Sequence, residues 1–218
     1  MQEYLAETYR IASYQDEPYV STSALAEAMG VTAPAVARMA TRLREAGYVD
    51  HEPYHGMCLT PLGKTEALKA IRRHRLLEVF LVKVMDFGWH EVHDEADHLG
   101  AVLSDRLVER MEQMAGYPMR CPHGEPIPSA DGQMPVVDDA PLTVMEPPAE
   151  LVISRVRAHD PEKLMYLAEL GLTPGRAVTL ISRAPFNGPL RLLIGKNEQV
   201  IGTELASVLR VSAAMVKS

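Results

Sequence analysis

Two short stretches carry residue types and spacings that can do chemistry. "HRLLE" sets His74 and Glu78 four residues apart, and "VHDEADHLG" (92–100) packs three acids and two histidines into nine residues with no Lys or Arg. In a helix, residues four apart share a face, so His74 pairs with Glu78, His93 with Asp97, and Asp94 with His98. Two antiparallel helices that each offer an imidazole and a carboxylate make a mixed N/O donor set, which suits a divalent first-row ion such as Mn²⁺, Fe²⁺ or Zn²⁺. A charged helix surface with two incidental histidines explains the pairing equally well, and the spacing does not choose between them. "CPHG" adds Cys121 and His123, but two donors are too few for a structural zinc site, and the proline-rich context reads as a structural turn. Met57 and Cys58 read as packing residues.

The elements that must hold these residues follow from period and capping. "MQEYLAETYRIASYQ" has a helical stripe of Tyr4, Leu5, Thr8, Ile11 and Ala12. A Ser/Thr cluster before "ALAEAMGV" starts a short helix that turns at Gly30, and "TAPAVARMATRLREAGYV" starts a second, with Thr32 as N-cap, Pro34 in the first turn and Gly47 as the stop. In that second helix Val36, Met39, Ala40 and Leu43 share an inward face, while Ala35, Arg38 and Arg42 share an outward one. "YVDHEPYHGMCLTPLG" reads as a two-stranded ribbon turning near His55 and Gly56. Helix, turn, helix, ribbon is the winged helix-turn-helix order, and two arginines beside a small Ala suit a helix entering a major groove.

Beyond the ribbon, 60–85 reads as one long helix capped by Thr60, and 92–114 as another. Residues 116–148 are rich in Pro, Gly and Asp and read as a connection. "ELVISRV", "AVTLISRA", "PLRLLIG" and "EQVIG" then read as short strands interrupted by one helix, "PEKLMYLAELG", with a hairpin signal at Asn187-Gly188.

The chain has 218 residues, 47% hydrophobic and 23% charged, which is ordinary globular composition. Two cysteines make no disulfide framework, and the longest apolar run is broken by Glu78 and Lys83, so a cytoplasmic protein without membrane contact is expected. Net charge is −7, yet its distribution matters more than its sum. Residues 1–65 hold 5 Lys/Arg and 8 Asp/Glu, residues 66–138 hold 8 and 13, and residues 139–218 hold 9 and 8. The acid excess peaks around the His/Asp stretch, while Arg38, Arg42 and Arg44 make the reading helix locally positive.

Several stretches in order, "EYLAETYRI", "APAVARMATRLREAGYV", "LTPLGKTEA", "RRHRLLEVFL", "VHDEADHLGAVLS" and "CPHGEPIP", resemble the diphtheria-toxin-repressor family of metal-dependent transcriptional repressors, which includes the manganese transport regulators. "YLAELGLTPGRAVTLI" resembles the SH3-like ferrous-transport-type module of its longer members. The resemblance implies a mostly α fold with small β parts: a winged helix-turn-helix DNA-binding domain (1–65), a helical dimerisation and metal-binding domain (66–138), a linker (139–147) and an SH3-like β-barrel (148–218). It implies one metal site from His74, Glu78 and His93, and a second that includes Glu3 and Asp97. It implies that Thr32, Pro34, Ala35, Arg38 and Arg42 face a palindromic double-stranded DNA operator, bound by a homodimer.

With carboxylates at 3 and 97, the resemblance points to Mn²⁺ as co-repressor, with Fe²⁺ the alternative and Zn²⁺ able to bind in vitro. The expected function is a manganese-responsive repressor of metal-uptake genes. The sequence departs from the family at Gly100 and Ala101, where metal-binding side chains are usual; His98 is the nearest substitute. The family's module ligands align with Arg155 and Ala158, so no direct ligand is expected from the module, with His159 or Asp160 as outside candidates. A winged-helix regulator answering a small molecule and a metallohydrolase are the rival readings. No nucleophile motif, general base beside the pairs or phosphate loop supports an enzyme.

Overall fold

The computed structural model describes residues 1–52, 55–100 and 102–214. It divides into two compact units, one of residues 1–77, 97–109 and 127–135, the other of 78–96, 110–126 and 136–218.

The first unit opens with α1 (Gln2–Ala12), α2 (Thr22–Ala28) and α3 (Ala33–Glu45), followed by a ribbon of β1 (Val49–Glu52) and β2 (Gly56–Leu59). The Ser21 hydroxyl accepts from Ala24 N–H and caps α2. Pro34 stands in the first turn of α3, where its missing N–H costs nothing. Thr32 is the N-cap residue of α3, but its hydroxyl makes no capping bond and stays exposed. The inward face of α3 forms as its period requires: Val36, Ala40 and Leu43 are buried against Leu5, Leu25, Val49 and Met57, with Met39 partly buried beside them. Full burial of each large apolar side chain stabilises the unit by about 1.5–3 kcal/mol.

The wing pairs antiparallel from Val49↔Leu59 to Glu52↔Gly56. Val20 and Met57 exchange backbone hydrogen bonds of 2.8 and 2.9 Å, tying the α1–α2 connection to the wing. At that junction Gly56 has φ +112° and lies so close to the Val20 carbonyl that a Cβ would overlap it, so only glycine fits. The wing carries acid. The Tyr19 hydroxyl donates to Glu52 (2.7 Å), and this bond pushes the Tyr19 pKa up to about 12 and lowers that of Glu52.

The long helix α4 (Pro61–Met85) begins at Thr60, whose Oγ1 accepts from Gly63 N–H at 3.0 Å. It is continuous and passes from the first unit into the second. The expected second long helix is instead two, α5 (Val92–Gly100) and α6 (Asp105–Met114). Ser104 restarts the chain, its Oγ accepting weakly from Leu107 N–H at 3.4 Å. The apolar period continues across the break, which is why periodicity alone joins the two helices.

In the second unit a six-stranded antiparallel sheet has the order β3-β8-β4-β5-β6-β7. Its strands are β3 (Ala140–Pro141), β4 (Ala149–Val156), β5 (Ala177–Arg183), β6 (Leu190–Ile194), β7 (Asn197–Ile201) and β8 (Leu209–Ala213). The helices α7 (Pro161–Glu169) and α8 (Thr203–Ser207) pack on it. The β5–β6 hairpin occurs where Asn187-Gly188 signals it, although the left-handed residues are Phe186 and Asn187. Residues 139–147, expected from the resemblance to be a linker, contribute to this domain. Ala140 and Pro141 pair with β8, Leu142 is fully buried in the sheet core, and Asp139 binds Arg155 and Arg210. A two-residue edge strand among prolines leaves no periodic signature to read.

A candidate metal centre and a nucleic-acid face

Two sets of side chains gather around the helices singled out by spacing. In the first unit His74 Nδ1 lies 2.9 Å from Asp97 Oδ1, with His74 buried and Asp97 half exposed. In the second, Glu78 is 2% exposed, and its Oε1 is 3.4 Å from both His93 Nδ1 and His123 Nδ1. The Cys121 sulfur is 3.9 Å from His123 Nδ1, and the His159 ring stacks on that of His93 with centroids 3.8 Å apart. Because α4 is continuous, His74 stands one turn before Glu78. Within the second unit Glu78, Cys121 and His123 each offer a ligand atom, all within 4.8 Å of one another.

Each donor is placed by its own element. Helical spacing sets His74 and Glu78 on α4, and His93 and Asp97 on α5. Cys121 and His123 sit on a tight turn in which Gly124 N–H donates to Cys121 O and Cys121 N–H donates to Glu125 O, both at 2.9 Å. The turn docks on β4 where Val156 N–H donates to His123 O at 2.8 Å. Gly124 allows this approach: it has φ +85°, and a Cβ there would overlap the Ser154 carbonyl. His159 lies just before α7, whose N-cap is Asp160, accepting from Lys163 N–H at 2.8 Å.

Cys121 and His123, read from sequence as a plain turn, therefore join Glu78 in a buried donor group. The spacing showed two donors, while the third lies on a distant helix and only the fold supplies it. Of the module positions, Arg155 is engaged by Asp139 and Glu125, Ala158 is buried, Asp160 caps α7, and His159 reaches His93. Glu3 is exposed on the first turn of α1, and no donor group among the described residues includes it. Gly100 ends α5, His98 is exposed, and Ala101 lies outside the described residues. The donors fit a divalent cation. A buried carboxylate flanked by imidazole nitrogens and a thiol is a mixed O/N/S set for a borderline first-row ion.

The other candidate surface is α3. Thr32, Pro34, Arg38 and Arg42 are exposed and Ala35 is half-buried, while Val36, Ala40 and Leu43 face the core. Arg38→Ala is expected to weaken duplex binding by about 1–3 kcal/mol if the guanidinium reads a base edge. A gel-shift or anisotropy titration checks this; Arg38→Ala and Arg42→Ala proteins that both fold and bind as wild type would remove α3 as the reading helix.

A winged helix followed by a metal-donor helical segment and a small sheet defines a metal-regulated DNA-binding protein. Family models match three segments: the iron-dependent repressor N-terminal DNA-binding domain over 1–57, the iron-dependent repressor metal-binding and dimerisation domain over 60–129, and the FeoA domain over 140–213. The iron-dependent repressor IdeR of Mycobacterium tuberculosis is 27% identical over 199 residues, 86% of each chain. A solved structure of a manganese-dependent transcriptional repressor with manganese superposes with TM-score 0.91 at 35% identity, covering 98% of this chain and 99% of that one. The manganese regulator SloR superposes with TM-score 0.81 at 30% identity over 98% of both chains. The chain belongs to the iron-dependent repressor family of metal-dependent transcriptional repressors.

Proposed function

We propose that this protein is a manganese-responsive repressor of metal-uptake genes, acting in the cytoplasm as a homodimer on a palindromic operator. Residues 1–65 form the reading head, 66–138 the sensing and pairing region, and the sheet module lends His159 to the sensor. The observation that carries the reading is the buried Glu78 carboxylate, held between His93 and His123 with Cys121 alongside. A bound divalent cation supplies positive charge that offsets clustered acid and ties the donor-bearing segments together. Asp97 holds His74 from α5, and Glu3 stands on α1 of the reading head, so a site that recruits both joins sensing to reading. Such a switch works by population shift: the metal must bind the DNA-competent arrangement better than the other. Leu99, Val102 and Leu107, exposed in 97–109, are apolar surface suited to pairing.

Donor hardness supports manganese. The Glu78 and Asp97 carboxylates each set a hard oxygen donor beside an imidazole, which suits Mn²⁺ better than soft donors would. One observation favours iron as the second reading: the Cys121 thiol is a softer donor than oxygen and moves selectivity along the affinity series. Replacing Asp97 tests the assignment. Asp97→Ala is expected to abolish Mn²⁺-activated DNA binding, and Asp97→Cys to move the response towards Fe²⁺ or Zn²⁺, read as operator binding against free metal under anaerobic conditions. An Asp97→Cys protein that keeps the wild-type metal ranking would show that this residue does not set the preference. The operator comes from selecting duplexes out of a random pool in Mn²⁺; two inverted half-sites are expected, and a single half-site would contradict the dimer.

A further inference from the structure

Trp89, the chain's single tryptophan, stands in the break between α4 and α5. Its carbonyl oxygen is 2.9 Å from His123 Nε2, and its indole lies over the imidazole with centroids 5.5 Å apart and planes tilted by 33°. A carbonyl oxygen only accepts, so Nε2 must carry the hydrogen of that bond. The opposite nitrogen, Nδ1, is then the one turned to Glu78 Oε1 at 3.4 Å and to the Cys121 sulfur at 3.9 Å. The break itself is clamped: Glu91 Oε2 accepts from Gly88 N–H at 2.7 Å, Glu91 N–H donates to Gly88 O at 3.0 Å, and Phe87 N–H donates to Leu81 O at 3.1 Å. The Trp89 carbonyl is therefore delivered from a fixed turn, not from a loose loop.

We propose that Trp89 is a positioning residue of the metal centre: its carbonyl holds the Nε2 hydrogen of His123 and its indole backs the ring, making Nδ1 the ligand atom. This rests on the metal-site reading above and adds to it which nitrogen binds and what decides that. The physical need is general. A ring that ligates through one nitrogen is oriented by the hydrogen bond its other nitrogen makes, and losing such a partner typically costs about 10–100-fold in metal affinity. His123 is 1% exposed, so water cannot replace the Trp89 carbonyl as acceptor without opening the turn.

The test uses the full chain labelled with ¹⁵N histidine, long-range ¹H–¹⁵N correlation spectra, and Zn²⁺ as a closed-shell probe. In the metal-free protein His123 is expected to carry hydrogen on Nε2, and Zn²⁺ is expected to move the Nδ1 resonance while Nε2–H stays. Trp89→Ala keeps the backbone carbonyl, and with it the Nε2–H tautomer, but removes the indole that backs the ring; it is expected to weaken Zn²⁺ binding about 10-fold, and Trp89→Phe, which keeps an aromatic wall, to restore most of the affinity. Hydrogen on Nδ1 alone in the metal-free wild type, or Zn²⁺ bound through Nε2, would overturn the proposal without any variant having to fold. So would a Trp89→Ala protein with wild-type Zn²⁺ affinity. A wild-type His123 whose nitrogens both ignore saturating Zn²⁺ would overturn the metal-site reading and the positioning role together, and the metal-free spectrum distinguishes that failure from an error about Trp89 alone.

Discussion

Glu78→Gln is expected to lose metal-activated operator binding while keeping the metal-free fold. The Glu78 carboxylate is 3.4 Å from imidazole nitrogens on two sides and shares a buried donor group with Cys121 and His123. Glutamine preserves its volume and one carbonyl oxygen but removes the negative charge that a divalent cation requires. A partner one step removed from a metal typically costs about 10–100-fold in affinity when lost, so a direct donor is expected to cost at least about 100-fold. The residue is also buried, so its replacement acts inside the site and not through the solvent. Calorimetric titration with Mn²⁺ under anaerobic conditions reads the effect, with circular dichroism of the metal-free proteins as the control for folding. A folded Glu78→Gln protein with wild-type Mn²⁺ affinity would remove Glu78 from the site.

The second large effect is on stability. The Asp139 side chain is fully buried and accepts from Ser154 Oγ (2.8 Å), Arg155 Nε (2.7 Å), Arg155 Nη2 (2.6 Å) and Arg210 Nε (2.5 Å). Asp139→Ala strips a shared counter-ion from two guanidinium groups that are themselves largely buried, and is expected to cost about 3–5 kcal/mol. Burial alone would raise the Asp139 pKa, but the hydrogen bonds from Arg155, Arg210 and Ser154 outweigh it and hold the carboxyl below its usual range. A pKa lower in the folded than in the unfolded protein means stability that is present above the unfolded carboxylate value and lost as pH falls through the folded one. The Asp139→Ala penalty should therefore be full at neutral pH and shrink in acid. Urea unfolding of the metal-free proteins at both pH values measures it; a neutral-pH loss under about 1 kcal/mol would contradict the buried-pair account.

The winged helix was legible because its signals are local. Caps, a glycine turn and a 3.6-residue period place Val36, Ala40 and Leu43 inside and Arg38 and Arg42 outside without help from the rest of the chain. That His74 and Glu78 stand one turn apart on α4, and His93 and Asp97 one turn apart on α5, was legible for the same reason; the contacts themselves pair His74 with Asp97 and Glu78 with His93. What stayed hidden depends on long-range contacts. β8 and the two-residue β3 acquire strand character from their neighbours in the sheet, and Asp139 acquires its role from arginines on β4 and β8. Cys121 and His123 looked like two donors in a turn because the third, Glu78, lies on another element. His159 was one outside candidate among several, and only the docking of the module's α7 entry beside α5 distinguishes it from Asp160, which is spent on a helix cap. The α5–α6 break escaped because both helices continue one apolar stripe.

The most direct measurement is the binding of the purified wild-type protein to its selected operator as a function of free Mn²⁺, Fe²⁺ and Zn²⁺, with a chelator arm, under anaerobic conditions and at fixed ionic strength. The donor cluster around Glu78 and the arginine face of α3 predict specific binding that appears with metal, is lost on chelation and returns when Mn²⁺ is restored, with Mn²⁺ effective at the lowest free concentration relative to its availability. Operator binding that is equally tight in chelator and in every metal would contradict the account at its centre, because the buried acid and imidazoles would then have no part in the reading of DNA.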